Sequence, residues 1–372
     1  MTNQRIFSIS MVKNEMDIIE SFVRYNTNIF DGMIILDNAS TDNTLKILKL
    51  LENEGLSIYV LKDEDNEYNQ AVKMNQLLLK AVNEFKADIV VPLDSDEFLI
   101  SSNRGNPRKI LERIEFPTFS MVKWKTYVPT FGKNEKFVLA KITFARDDSF
   151  EEYYKVIIPK ELVENYDVKL TKGNHDLTYD QKYEDSIKRV FNTDLRIAHF
   201  PMRSKEQAMS RISVGWIFSL CDINRNEYES GHRQKMFNAL KETGKIENED
   251  VINIAKEFAL MDVEKEVNLR EDPIDLSFCK NIMMKYTADE INPLGNLLEN
   301  CEQLSLAYLN FKKEALAEEK KLKFQIENLE KEKFIGEQRL KSKIEEYQNS
   351  TSWVVTSPLR KAGNILRKLR NI

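Results

Sequence analysis

Apolar and polar residues alternate along the first hundred positions in a regular rhythm. A buried-type run, RIFSISMV (5–12), is followed between Glu15 and Phe30 by apolar residues at helical spacing, Ile18, Ile19, Phe22, Val23 and Tyr25. GMIILD (32–37) predicts a second strand. STDNTLKILKLLENEG then predicts a helix with Ser40, Thr41 or Asp42 at its start and Gly55 at its stop. SIYVL (57–61), NQAVKMNQLLLKAVNEF and DIVVPL (88–93) continue as strand, helix and strand. Four strands separated by three helices need crossover connections, so the pattern predicts an α/β fold: a Rossmann-like, largely parallel sheet with helices on both faces. Pro92 cannot donate to a sheet ladder and marks where pairing ends.

Further along, KVIIPKEL (155–162) predicts another strand, and FSMVKWKTYVPTFG (119–132) alternates in character. Its Trp124, Tyr127 and Phe131 suit either sheet packing or a platform for sugar rings. After about residue 206 the pattern becomes helical. Between Lys312 and Glu346 the chain holds ten Lys or Arg, nine Glu, a single glycine and no proline, which predicts a long solvated helix. Leu322, Ile326 and Leu329 begin a heptad that Lys333 and Gly336 interrupt, so a short coiled coil is expected, for self-association or for a partner. The final segment, TSWVVTSPLRKAGNILRKLRNI, has no acid and five basic residues from Arg360 onward. Leu359, Ala362, Leu366 and Leu369 line one helix face there, a basic amphipathic pattern suited to peripheral contact with an anionic membrane. The expected organisation is a catalytic domain over 1–205, a helical subdomain over 206–300, a charged helix over 301–348 and the basic tail over 349–372.

Composition narrows the function classes. A net charge of −5 gives no general attraction to nucleic acid, and none is expected as a partner. Cys221, Cys279 and Cys301 form neither a CxxC clip nor a disulfide framework, which fits a reducing compartment. The N-terminus lacks the pattern of a signal peptide, and no apolar run approaches the roughly 18 residues of a membrane span. The cytoplasm, or the inner face of the cytoplasmic membrane, is the expected location.

The candidate chemistry begins at VVPLDSDEFLI (90–100), where an apolar strand runs into Asp94, Asp96 and Glu97. Ligands of open parallel α/β sheets bind outside the carboxyl ends of the strands. Asp37 and Asn38 end the second strand there, and Lys13, Asn14 and Glu15 follow the first. Two aspartates one residue apart offer hard oxygen donors to Mn²⁺ or Mg²⁺, which takes its remaining ligands from phosphates. The same acids would also serve as the start of a solvated loop.

SMVKNE, ILDNASTDNT and VPLDSDEFL, in that order and spacing, resemble the nucleotide-sugar-binding half of a family 2 glycosyltransferase with the GT-A fold. The DEFL ending resembles a bacterial subgroup related to family 92. The resemblance implies a glycosyltransferase, inverting and metal-dependent, that moves a sugar from a UDP, dTDP or GDP donor to a hydroxyl of a surface glycan, with lipid-linked acceptors included. It implies that Ser10, Val12, Asn14, Glu15, Asp37 and Asn38 hold the nucleoside, that Asp94, Ser95 and Asp96 meet the diphosphate and its metal, and that Lys73 and Arg203 are candidate phosphate contacts. GNHD and HFPMRS resemble the segments that close such domains, which makes His199 the candidate third metal ligand. Asp176 is the candidate general base by chain order; His175, Glu184 and Asp185 are rivals. His232 has no functional assignment. Two other classes stay open: a non-catalytic nucleotide-sugar-binding or assembly subunit, and a DxD phosphotransferase or phosphatase. The latter usually carries its acids on the first strand.

Overall fold

The computed structural model describes residues 4–63, 69–133, 135–147, 152–221, 227–260, 266–287 and 291–370. The side chains of Cys221, His232, Lys368 and Leu369 lie outside what it describes. Two compact units are present, Met1–Gln303 and Leu304–Ile372.

The first unit opens with β1 (Ile6–Val12), α1 (Ile19–Asn26), β2 (Gly32–Asn38), α2 (Thr44–Asn53), β3 (Ile58–Asp63), α3 (Gln70–Asn83) and β4 (Ile89–Pro92). The four strands are parallel in the order β4-β1-β2-β3. The period of two along each strand sorts its side chains into two cores. Ile6, Val12, Met33, Ile35, Ile89 and Val91 pack with Phe22 and Val23 of α1 and Ile47, Leu48 and Leu51 of α2. Phe7, Ile9, Ile34 and Val90 pack with Met74, Leu77, Leu78 and Ala81 of α3 on the other face. Both faces are therefore covered, which is why β1 reads as an almost unbroken apolar run. Pro92 pairs with Ile9 as the last residue of β4, so its missing N–H falls where the ladder stops.

Beyond β4 the direction changes. The chain adds β5 (Glu97–Ser101), α4 (Arg108–Leu111), β6 (Thr118–Val128), α5 (Val138–Lys141), β7 (Phe144–Arg146), β8 (Tyr154–Pro159) and α6 (Lys160–Tyr166). A small hairpin, β9 (Lys169–Leu170) with β10 (Leu177–Thr178), leads to β11 (Lys188–His199). β8 is antiparallel to β4, and β6 antiparallel to β8. β11 lies parallel to β6 and antiparallel to β5. The first four strands are thus all parallel, and the strands that extend them pair mostly antiparallel, with β11 on β6 the exception, in an arrangement that the early pattern did not reveal.

Helices α7 (Lys205–Cys221), α8 (Glu227–Thr243) and α9 (Asn248–Glu257) follow, then β12 (Leu269–Glu271), antiparallel to β7. Ala208 and Ile212 of α7 and Val251 and Ala255 of α9 build a third apolar cluster around Val128 at the end of β6. Helix α10 (Pro293–Asn349) is continuous for 57 residues, and α11 (Thr351–Val355) and α12 (Ser357–Arg370) end the second unit. No described helix is long and apolar enough to cross a membrane.

Candidate active site

The carboxyl ends of β1, β2 and β4 form the floor of the site. After β1 the chain turns at Asn14, whose φ of 56° lies in the left-handed region that asparagine tolerates. Its Oδ1 accepts from Thr41 N at 2.8 Å and its N–H donates to Ser40 Oγ at 3.0 Å, which laces the loop after β1 to the loop after β2. Asp37 is buried; one carboxylate oxygen accepts from Ser40 N and the other has no hydrogen-bond partner among the described residues. The buried hydroxyls of Ser8 and Ser10 also have no hydrogen-bond partner among the described residues. Lys73 donates to Asn38 Oδ1 at 2.8 Å and pairs with Asp63 at 2.7 Å, so its ammonium is engaged at the end of β2 and β3. Val12, the last residue of β1, is buried beneath this loop pair.

The acidic turn closes on itself: Glu97 N donates to Asp94 O and Asp94 N donates to Glu97 Oε2, each at 3.0 Å. Ser95 lies buried inside it. Three cations from distant parts of the chain answer the acids. Lys155 on β8 lies 2.7 Å from Asp94 Oδ2 and 3.2 Å from Glu97 Oε2. Arg211 on α7 lies 2.7 Å from Asp96 Oδ2. Arg203, just before α7, pairs with Glu15 at 2.7 Å and Asp17 at 2.6 Å. The pairing of β11 with β5 sets His199 opposite Glu97, and His199 Nε2 comes within 3.7 Å of Asp96 Oδ2. The imidazole stacks on Trp124 with ring centroids 4.1 Å apart.

Burial and charge compete here. Burial opposes ionisation of Asp96, yet Arg211, His199 and Arg203 together hold it well below the ordinary aspartate range. Burial pushes Glu97 up to about 8 against the pull of Lys155, and Glu15 up to about 7 against that of Arg203. Lys155 stays charged: burial works against it, but Asp94 and Glu97 more than compensate. Burial lowers His199, with Asp96 acting the other way. Asp96 is therefore held in its ionised form while its neighbour Glu97 is pushed toward its protonated form, which lightens the burden of charge on the turn.

The two candidate bases differ sharply in surroundings. Asp176 accepts two hydrogen bonds of 2.8 Å from the Arg189 guanidinium and one from Leu177 N, at the edge of the β9–β10 hairpin. His175 places Nδ1 2.8 Å from Tyr154 O, a carbonyl that can only accept, so Nδ1 carries the proton and Nε2 keeps its lone pair. Burial and then Lys155 lower its proton affinity further. The ring lies over Gly173, where a Cβ would come within 2.6 Å of Nε2 and where φ is +77°. Gly173 O in turn accepts from Lys155 Nζ at 2.9 Å, so the loop bearing His175 is tied to the acidic turn. Glu184 and Asp185 are exposed.

Among the described residues no three His, Cys, Asp or Glu side chains form a ready-made metal cage. Asp96 and His199 offer two donors, with the Asp94 carboxylate, one third exposed, on the same turn. Lys155 and Arg211 are residues of the candidate site that the sequence reading did not name. Lys155 left a signal, a lone charge inside the apolar run YKVIIP. Arg211 left none beyond a base among the apolar residues of α7.

The model of Glycosyl transferase family 2 matches residues 12–164. No curated protein matches the chain. Among solved structures, the chain is similar to a mannosyltransferase from Pyrobaculum calidifontis in complex with GDP-Man and Mn²⁺, at 11% identity and a TM-score of 0.37, over 69% of this chain and 81% of that one. It is also similar to glucosyl-3-phosphoglycerate synthase from Mycobacterium tuberculosis in complex with Mn²⁺, UDP-glucose and phosphoglyceric acid, at 16% identity and a TM-score of 0.30, over 66% and 82% of the two chains. The residues that match the family 2 model, less than half of the chain, run from the last residue of β1 through the rest of the parallel β4-β1-β2-β3 sheet of an α/β fold and include the acidic turn that follows it.

Proposed function

We propose that the protein transfers a sugar from a nucleoside-diphosphate donor to a hydroxyl of a glycan, with inversion and with the help of Mn²⁺ or Mg²⁺. The observation that carries this reading is the pair Asp96 and His199, both buried and 3.7 Å apart, beside Asp94 at the carboxyl end of the parallel strands. One or two carboxylates suit either cation, whose remaining ligands come from substrate phosphates, and an added imidazole nitrogen favours Mn²⁺ over the harder Mg²⁺. His199 turns Nε2 toward Asp96, and its Nδ1 is buried with no hydrogen-bond partner among the described residues. Asp94, Asp96 and His199 would hold the ion, which when bound supplies charge neutralisation at the diphosphate.

The chain's own residues do the rest. The loops after β1 and β2, with Asp37 and Asn38, receive the nucleoside. His175 Nε2 takes the proton of the acceptor hydroxyl as that oxygen bonds to the anomeric carbon. The bond from that carbon to the diphosphate breaks, and its electron pair stays on the phosphate oxygen. Arg211, a third exposed, is the cation best able to reach that oxygen, because Lys155 and Arg203 are enclosed by their acids. His175 is preferred over Asp176 because Arg189 Nη2 donates to both oxygens of the aspartate.

In this reading the acceptor is a surface glycan, lipid-linked ones included. Helix α12, without an acid and with Leu359, Ile365 and Leu366 exposed, rests on the anionic membrane that presents it. Exposed Leu322, Ile326 and Leu329 on α10 support self-association through a short coiled coil.

A thermal-shift series with UDP, GDP, dTDP and CDP sugars, each with and without Mn²⁺, tests the reading. Stabilisation by one donor only with metal, abolished in Asp96→Ala, is the expected result; a nucleotide effect indifferent to both metal and Asp96 would remove the metal assignment. His175→Gln is expected to lower turnover by about 10²–10⁴ with donor binding intact, and Asp176→Asn to change it little. The reverse ranking would return the base to Asp176. One observation favours an assembly subunit instead: Lys155 and Arg211 already answer the two aspartates. Metal-dependent donor binding with no turnover on any acceptor would select that reading.

A further inference from the structure

Lys155 is out of place in its strand. Its neighbours in YKVIIP are apolar, and its side chain has no exposure to solvent. A buried ammonium is tolerated only when its protons are matched. Lys155 has three protons and three acceptors: Asp94 Oδ2 at 2.7 Å, Gly173 O at 2.9 Å and Glu97 Oε2 at 3.2 Å. Among the described residues it is the cation paired with Asp94, and it joins the acidic turn to the loop that carries His175.

We propose that Lys155 is a built-in counter-ion that keeps Asp94 and Asp96 from holding a divalent cation by themselves, so that the metal enters the site together with the nucleoside diphosphate. The inference rests on the reading of these aspartates as metal ligands. A cation that shares the Asp94 carboxylate meets a fixed positive charge and competes with its shortest hydrogen bond. The phosphates of the donor bring the negative charge that offsets this repulsion. With the amine removed, Asp94 loses its cation, and an unaccompanied Mn²⁺ becomes the readiest way to neutralise the turn. Lys155 is thus a positioning residue that acts through Asp94.

Mn²⁺ binding to the full chain, followed by electron paramagnetic resonance with and without UDP or GDP, tests this in the wild type, Lys155→Met, Lys155→Arg and Asp96→Ala. The wild type is expected to bind Mn²⁺ alone at least tenfold more weakly than with the nucleotide it recognises, and Lys155→Arg to keep that difference. Lys155→Met is expected to bind Mn²⁺ alone at least tenfold more tightly than the wild type, and to gain more in thermal midpoint from Mn²⁺ alone. A lysine with only a structural role would lower the midpoint and leave Mn²⁺ affinity equal or weaker, which overturns the proposal. So does a wild type that binds Mn²⁺ equally with and without nucleotide, even if Lys155→Met fails to fold. If Asp96→Ala binds Mn²⁺ with nucleotide as well as the wild type does, the metal reading itself falls, and the proposal with it.

Discussion

At Glu97 the chain places a carboxyl group out of reach of water, and burial lifts its proton affinity until it titrates at about 8 instead of 4.5. The folded protein then keeps a proton that the unfolded chain releases, so stability from this group is complete below about pH 4.5 and declines as pH rises through 8. Glu15, lifted to about 7, acts in the same sense. In metal-free buffer, denaturant unfolding of the wild type should lose on the order of 1 kcal/mol per pH unit from this group between pH 5 and 8, and Glu97→Gln should flatten the slope. Equal slopes for the two proteins would mean that Glu97 is ionised in the fold. The acids of this site were legible as residues because they interrupt an apolar run. Their counter-ions were not, since Lys155 lies 61 positions from Asp94 and Arg211 lies 115 from Asp96.

Elements explain how those distances close. The alternation of β1, β2 and β4 between two cores was readable from a period of two, and their helices from a period near 3.6. The antiparallel strands were harder to read, because partner choice depends on pairing across the sheet and leaves no local mark. The β5–β11 pairing is the decisive one: it sets His199 opposite Glu97, and a shift of one residue would turn the imidazole to the other face. Arg203 anchors the segment before α7 to the loop after β1 through Glu15 and Asp17. Arg203→Met should cost about 3–5 kcal/mol in denaturant unfolding, because it strands two poorly solvated carboxylates. A loss under about 1 kcal/mol would show that the loop takes up water instead. Gly32, at the start of β2, would bring a Cβ within 2.4 Å of the Phe7 ring, so Gly32→Ala should cost about 1–3 kcal/mol by the same measurement. A neutral result would show that the ring moves aside freely.

For the molecule as a whole, the division at Gln303 gives a direct expectation. A chain ending there should keep its thermal midpoint within a few degrees and retain donor binding; loss of either would show that the second unit supports the first. Deletion of residues 349–372 should release the protein from anionic liposomes, and unchanged binding would remove α12 as the contact. What the sequence by itself determined is what local pattern controls: the four early strands and their helices, the polar residues at the carboxyl ends of those strands, and the long charged helix. These depend on residues within a few turns or a few strand positions of each other. The tertiary structure alone decided which cation answers which acid, which of two adjacent residues has a free lone pair, and which late strand delivers the histidine. Those outcomes follow from burial and from pairing between segments a hundred residues apart, where a proton or an ion pair is stabilised by whatever the fold brings within about 4 Å.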